Sequence, residues 1–420
     1  MPVIPTKLPV WRSLGPGLIS GASDDDPTAI GTYAQSGAKF GFAFCWVALA
    51  FFPIMAAVQE MSGRLGRSTG QGLAGNIRLH YPNWLLQGCV ALLWFANTVE
   101  IGADLGAMAD VVRVMIGGPH FLYVALLAGG CVVLQVFMRY SRYVAVLKWT
   151  TLALFAYVAA LLTANVPWVE VARALVPRPI FDREWLMNAV ALFGVAVSPY
   201  IFFWQSSQEA EDQRVVPERE PLKEAPEQAP RAIDRIRLDT YVGMAVAVLV
   251  GLAIMITTAA SLHRGGAANV ETIVQAAEAL RPIAGGFAFA VFALGILGTG
   301  FLAVPVLAGS AAYAIGEARN WPVGLARKPR EAKAFYLTLA LAGLLGAGLN
   351  AIGLDVVRAL YGSAIVNGIV AVPVLAMLTA MSGRHSIMGA FTVGRPVRSI
   401  GWCAVFLSGA AVVALAISML

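Results

Sequence analysis

Asp24, Asp25 and Asp26 run directly into Pro27 inside the apolar, glycine-rich stretch LISGASDDDPTAIGTYAQSGAKFG, residues 18–41. An unpartnered carboxylate in such surroundings is strongly disfavoured and normally neutralises itself by taking up a proton. A bound divalent cation removes that cost and is held by the same charge. The chemistry these residues offer is therefore cation binding, with Asp26, beside the helix-breaking proline, as its foremost ligand. For Asp24 and Asp25 an equal alternative stands: they cap the following half-helix and lie in a wet vestibule.

The elements that must position these carboxylates are membrane helices. Of 420 residues, 58% are hydrophobic and 13% charged, with a mean hydropathy of +0.71. Soluble domains carry about 25% charged residues, and apolar runs of about 20 residues, enough to cross a bilayer, recur here from end to end. We place spans near 14–36, 42–63, 85–113, 119–139, 143–164, 184–208, 239–262, 283–316, 334–350, 355–381 and 399–419. The expectation is an all-α polytopic membrane protein of about eleven transmembrane helices forming one domain over 1–420. Of the 30 Lys and Arg residues, 22 fall on the side that includes the N-terminal segment and the connections 64–78, 139–148, 214–237, 319–333 and 384–398. The positive-inside rule then sets the N-terminus in the cytoplasm and the C-terminus outside, in the plasma (inner) membrane. The start of the chain lacks a signal peptide's charged region and cleavage site, so the first span is expected to stay.

Two spans are interrupted in matching places. Span 1 divides into halves of roughly 14–23 and 28–37 around Ser-Asp-Asp-Asp-Pro. Span 6, NAVALFGVAVSPYIFFWQSSQEAED, carries Ser198-Pro199 at its centre with Gly194 just before. Proline frees a carbonyl and bends the axis, and unpaired backbone at membrane depth is tolerated only where it lines a cavity or a water path. Breaks five spans apart point to two five-helix halves of inverted topology, about 14–164 and 184–381, with an extra helix at about 399–419 and the substrate held where the breaks meet; the alternative is two ordinary proline kinks. Glu100 and Asp104 stand four apart on one helix face, either along an aqueous path or paired with an arginine or a neighbouring helix. Asn367 either closes the site from span 10 or bonds between helices. Phe202, Phe203 and Trp204 read as core or lipid-facing.

Other classes find no support. Cys45, Cys89, Cys131 and Cys403 lie in apolar spans without a C-x-x-C pair and read as small buried hydrophobes. His80, His120, His263 and His385 sit at span ends or in connections, and neither H-E-x-x-H nor G-x-S-x-G occurs, so no enzyme is expected. The loop 209–238, with Pro217, Pro221, Pro226 and Pro230, reads as a mobile cytoplasmic linker. The net charge of +6 reflects the loop asymmetry and implies no nucleic acid. The partners expected are the metal ion and the lipid bilayer, with no cofactor, and no motif sets an oligomeric state.

GPGLISGASDDDPTAIGTYAQSGAKFG resembles the first helix of the NRAMP divalent-metal transporters, whose signature is Asp-Pro-Gly-Asn. QEMSGRLGRSTGQGLAGNIRLHYP (59–82) looks like that family's helix 2 and the loop after it, GADLGAMAD (102–110) like its helix 3, and VAVSPYIFFWQSS like its broken helix 6. The resemblance implies the leucine-transporter-like fold and places the metal-binding Asp on Asp26. It also carries departures. The Gly-Asn pair reads Thr28-Ala29, the helix-6 methionine falls on Ser198, and the two helix-6 histidines fall on Tyr200 and Gln205. On helix 3 the Asp matches Asp104, while the Glu three residues later is Ala107. Such changes resemble the branch of NRAMP-related magnesium transporters, which carry Mg2+ and Mn2+ without proton coupling. The chemistry agrees, because Mg2+ prefers oxygen ligands and keeps its water, and losing a thioether removes a bias toward softer metals. Asp26 is then expected to meet the ion or its bound water, with the carbonyls around Ser23 and Val195 and the Ser198 hydroxyl supplying further oxygens. The expected function is Mg2+ uptake, with Mn2+ second, by alternating access without protons. Its rivals are a proton-coupled Mn2+ or Fe2+ symporter of the NRAMP type and an organic-substrate carrier of the same fold.

Overall fold

The computed structural model describes residues 15–138, 154–163, 165–178, 182–216, 218–263, 281–352 and 356–418. The chain is helical, with no strand among the described residues. The first span is two helices, α1 (Pro16–Asp24) and α2 (Pro27–Phe40), followed by α3 (Cys45–Thr69), α4 (Leu73–His80), α5 (Asn83–Ile116) and α6 (His120–Phe137). After α7 (Phe155–Thr163) and α8 (Trp168–Ala174) comes the second broken span, α9 (Arg183–Ala196) and α10 (Pro199–Val215). Then follow α11 (Ala229–Thr258), α12 (Arg281–Ala318), α13 (Lys333–Ala351), α14 (Val356–Ser382), α15 (His385–Met388) and α16 (Arg395–Ser418). Of the expected spans, the fifth is described only over α7, and its first part lies outside the described residues.

Both breaks follow from local chemistry. Pro27 and Pro199 each occupy the first position of the half-helix they open, where a missing N–H costs nothing. Asp26 caps α2 by accepting from the Ala29 N–H at 2.7 Å, and Asp182 caps α9 through the Trp185 N–H at 2.7 Å. At nine residues, α1 rises about 14 Å, roughly half the bilayer's hydrocarbon core. Nine helical stretches among the described residues are long and apolar enough to cross a membrane, Pro27–Thr69 and Arg183–Val215 each counted once. Large apolar side chains such as Leu126, Phe137, Leu344 and Phe406 stay exposed around the perimeter, which suits lipid rather than water. This is an integral membrane protein.

Close helix approach holds the broken spans. The backbones of α1 and α11 meet at glycines: a Cβ on Gly21 would lie 2.2 Å from the Gly243 carbonyl oxygen, and one on Gly243 would lie 2.3 Å from that of Gly17. Gly66 of α3 meets Ser206 of α10, and Gly194 of α9 meets Ala364 of α14, equally tightly. Small residues at such crossings are how membrane helices pack without a hydrophobic driving force between them. Phe202, Phe203 and Trp204 are core residues.

Two expectations need correction. The segment 209–238 is no mobile linker over its described residues, for α10 runs on to Val215, Leu222 is fully buried, and α11 begins at Ala229. Arg67 fixes the turn by donating to the Glu220 carbonyl and to Gln228 Oε1, both at 2.6 Å. Prolines and charges made it read as loop, but a buried guanidinium needs those acceptors. Cys403 is exposed, unlike Cys45, Cys89 and Cys131, because its face of α16 points away from the bundle.

Candidate metal-ion site

The two breaks meet. The Tyr200 hydroxyl, in the first turn of α10, donates to the Ser23 carbonyl at 2.6 Å and to Asp26 Oδ2 at 3.4 Å. Asp26 Oδ1 is engaged with the Ala29 N–H, so Oδ2 is the oxygen with capacity to spare. From the side, α5 brings Asp104, whose Oδ1 accepts from the Thr28 N–H at 3.1 Å and the Thr28 hydroxyl at 2.9 Å. Its Oδ2 has no partner. One turn earlier on α5, Glu100 Oε2 accepts from the Asn367 amide of α14 at 2.9 Å. Asn367 therefore does bond between helices, and Glu100 and Asp104 share the face turned to the break without pairing to an arginine.

The carbonyls of Ser23 and Val195 belong to the last turns of α1 and α9, the negative ends of those helices. The Ser198 hydroxyl donates to the carbonyls of Gly194 and Val195, at 3.0 Å each. It satisfies backbone that the break sets free, keeping lone pairs on its own oxygen. Thr28 and Ala29 are fully buried at the start of α2. Gln205 lies elsewhere, donating to the Thr240 hydroxyl of α11 at 2.8 Å, and is not brought to Asp26.

Asp24, Asp25 and Asp26 are 2%, 1% and 2% exposed, so the wet-vestibule alternative for the first two is corrected. Nor do they cap α2, a role that falls to Asp26 alone. All four carboxylate oxygens of Asp24 and Asp25 lack a hydrogen-bond partner. Asp25 stands in electrostatic reach of the Tyr33 and Tyr157 rings, two tyrosines that no sequence signal tied to the break. No described Asp, Glu, His or Cys side chains converge as a cluster of three or more able to hold a metal by themselves. Any ion here must take carbonyl, hydroxyl or water oxygens beside a carboxylate.

One end of the assembly is fastened by residues that local sequence did not reveal. Asp239 of α11 accepts from the N–H groups of Gly15, Gly17 and Leu18 at 2.7–2.9 Å, capping α1 from 224 residues away in the case of Gly15. Glu317 of α12 accepts from the Ser207 hydroxyl at 2.7 Å and the Gly75 N–H at 3.0 Å, tying α10 to α4. Toward the other end, a cavity of about 210 Å³ lies between α2 and α9, lined by Gln35, Lys39, Phe40, Glu184, Met187 and Asn188. Asn188 donates to the Ser36 hydroxyl at 2.9 Å.

Residues 17–418 match the family model described as Nramp: Natural resistance-associated macrophage protein-like. The chain belongs to that family. A relative named divalent metal cation transporter MntH, from Ralstonia nicotianae, is 29% identical over 421 residues, spanning 95% of this chain and 90% of its own. Among solved structures, the Eremococcus coleocola manganese transporter in complex with an aromatic bis-isothiourea compound superposes with a TM-score of 0.77. It is 16% identical and covers 97% of this chain and 87% of its own. Mhp1, a nucleobase-cation-symport-1 family transporter, superposes with a TM-score of 0.61 at 15% identity, covering 99% and 96%. Family membership and these superpositions establish the leucine-transporter-like fold with helices 1 and 6 broken.

Proposed function

We propose that this member of the Nramp family transports divalent metal cations by alternating access, with Asp26 as the charged ligand. The observation that carries the reading is the meeting of the two breaks at Asp26, where a buried carboxylate, two negative helix ends and a buried tyrosine converge without a counter-cation among the described residues. In this reading the halves about 14–164 and 184–381 rock about that point, and the lysine and arginine bias places the N-terminus in the cytoplasm.

We further propose a preference for hard cations, Mg2+ and Mn2+. Ser23, Asp26, Thr28, Val195 and Ser198 offer oxygen alone, and Ala29 adds room for bound water. Mg2+ is commonly held through one or two carboxylates while keeping several waters. Membrane potential is a sufficient driving force, since a 2+ ion gains about 4.6 kcal/mol at −100 mV, from ~2.3 kcal/mol per charge. A second reading, proton-coupled Mn2+ uptake, is favoured by the relatives named as MntH and manganese transporters and by Asp104, a buried carboxylate beside the ion ligand.

Purified protein in liposomes, with Mg2+, Mn2+ and Ca2+ uptake compared while an internal dye follows pH, separates the two. The first reading expects Mg2+ and Mn2+ entry without acidification. Metal-dependent acidification that disappears in Asp104→Asn establishes the second.

A further inference from the structure

The region beside Asp26 holds more negative charge than one divalent ion balances. Asp24, Asp26 and Glu100 act on one another electrostatically, and Asp104 is acted on by Asp26 and Glu100. No lysine, arginine or histidine is among the groups acting on any of these four, and none forms an ion pair among the described residues. Asp25 acts on Asp24 as well, so five carboxylates crowd the break, and one 2+ ion leaves three of them to be neutralised by protons or by a further cation.

Unused oxygens indicate where the remaining demand lies. Both oxygens of Asp24 are unpartnered. Glu100 is held from one side only, by the Asn367 amide nitrogen. The Asn367 Oδ1 is itself fully buried and unpartnered, and it shares an amide with the nitrogen that donates to Glu100. The orphaned atoms here are all acceptors. Acceptors gathered without donors are satisfied by a cation.

We propose a second divalent-cation position, bounded by Asp24 at the end of α1, Glu100 on α5 and Asn367 on α14, adjacent to but distinct from the Asp26 position. Two carboxylates and one amide oxygen leave the rest of the coordination shell to water, in keeping with a hard, partly hydrated ion. In this arrangement the two ions neutralise four of the five carboxylates, and a proton neutralises the fifth. Asn367 positions Glu100 through its nitrogen and meets the ion through its oxygen. The inference rests on the reading of Asp26 as a cargo ligand.

The test uses the full-length protein in detergent or nanodiscs and counts bound Mn2+ by equilibrium dialysis, with low-temperature electron paramagnetic resonance on the same samples. The wild type is expected to bind two Mn2+ per chain and to show a spectrum broadened by dipolar coupling between close-lying ions. Glu100→Gln and Asp24→Asn are expected to bind one Mn2+ with a resolved hyperfine pattern, and Asn367→Ala to fill its second position only at higher Mn2+. One ion per wild-type chain with an unbroadened spectrum overturns the second position and leaves the Asp26 reading intact, as does an unchanged stoichiometry of two in folded Glu100→Gln. No bound ion in the wild type overturns both. Should the variants fail to fold, as judged by size-exclusion chromatography, the wild-type count and spectrum still decide.

Discussion

Two sets of buried carboxylates occupy this bundle, and they are treated in opposite ways. At the breaks, Asp24, Asp25, Asp26, Glu100 and Asp104 are at most 2% exposed, and among the described residues none meets a cationic side chain. At the end where α1 begins, Glu60, Glu209, Asp239, Glu211 and Glu317 are also buried, yet each is matched. Glu60 accepts from Arg64 at 3.0 Å and Arg237 at 2.9 Å, and Glu209 pairs with Arg235. Asp239 and Glu317 take backbone N–H groups, and Glu211 takes the Leu325 N–H at 3.1 Å. The same residue types at the same depth therefore divide by partner. The carboxylates that fasten helices each have an arginine acting on them. Those at the breaks have none, although Asp26, Asp104 and Glu100 accept protein hydrogen bonds, and they are left for a cation that arrives from outside.

The largest expected effect that tests this division is at Asp26. Asp26→Ala should remove Mg2+ and Mn2+ uptake and weaken binding by at least the ~100-fold that losing a partner of a metal ligand can cost. The protein should stay folded, losing only the about 0.5–2 kcal/mol of the α2 cap, because no protein counter-charge is stranded. Calorimetry and uptake matching the wild type would show that Asp26 is not a ligand.

Arg235 should behave in the reverse sense. Replacing it with Met leaves Glu209 buried and uncompensated, a change that costs about 3–5 kcal/mol in comparable buried pairs. A clear loss of thermal stability is expected, with the affinity of the remaining folded protein for Mn2+ unaltered. If Arg235→Met melts like the wild type, the fastening role assigned to this set is wrong.

A smaller and more local effect is expected at Asp239. Hydrogen bonds to a charged group contribute about 1.5–3 kcal/mol, and Asp239→Asn keeps the shape while giving up the charge. Hydrogen exchange should quicken over residues 15–24 and stay unchanged over α2, whose own cap is Asp26. Equal protection of α1 in both proteins would mean that glycine packing against Gly243, rather than Asp239, holds this half-helix.

Much of the molecule was legible beforehand for a simple reason. Length and hydropathy report directly on bilayer crossing, and proline reports directly on a break, so the spans and both interruptions needed no tertiary knowledge. Asp26 stood out because its position relative to Pro27 is a local, covalent fact. The segment 209–238 went wrong on the same logic, since proline and charge mark loops only where nothing docks them, and Arg67 does so here.

The sequence by itself determined that this is a helical membrane protein broken twice, with carboxylates and freed carbonyls at the breaks. That follows from side-chain hydrophobicity and backbone geometry, which act over a few residues. Only the tertiary structure decided which oxygens are spent and which remain. Tyr200 reaches Ser23, Thr28 occupies one oxygen of Asp104, Asn367 holds Glu100, and Asp239 caps a helix that begins more than 200 residues earlier. Those pairings depend on which helices lie side by side, and helix adjacency is a property of the packed bundle that no local pattern encodes.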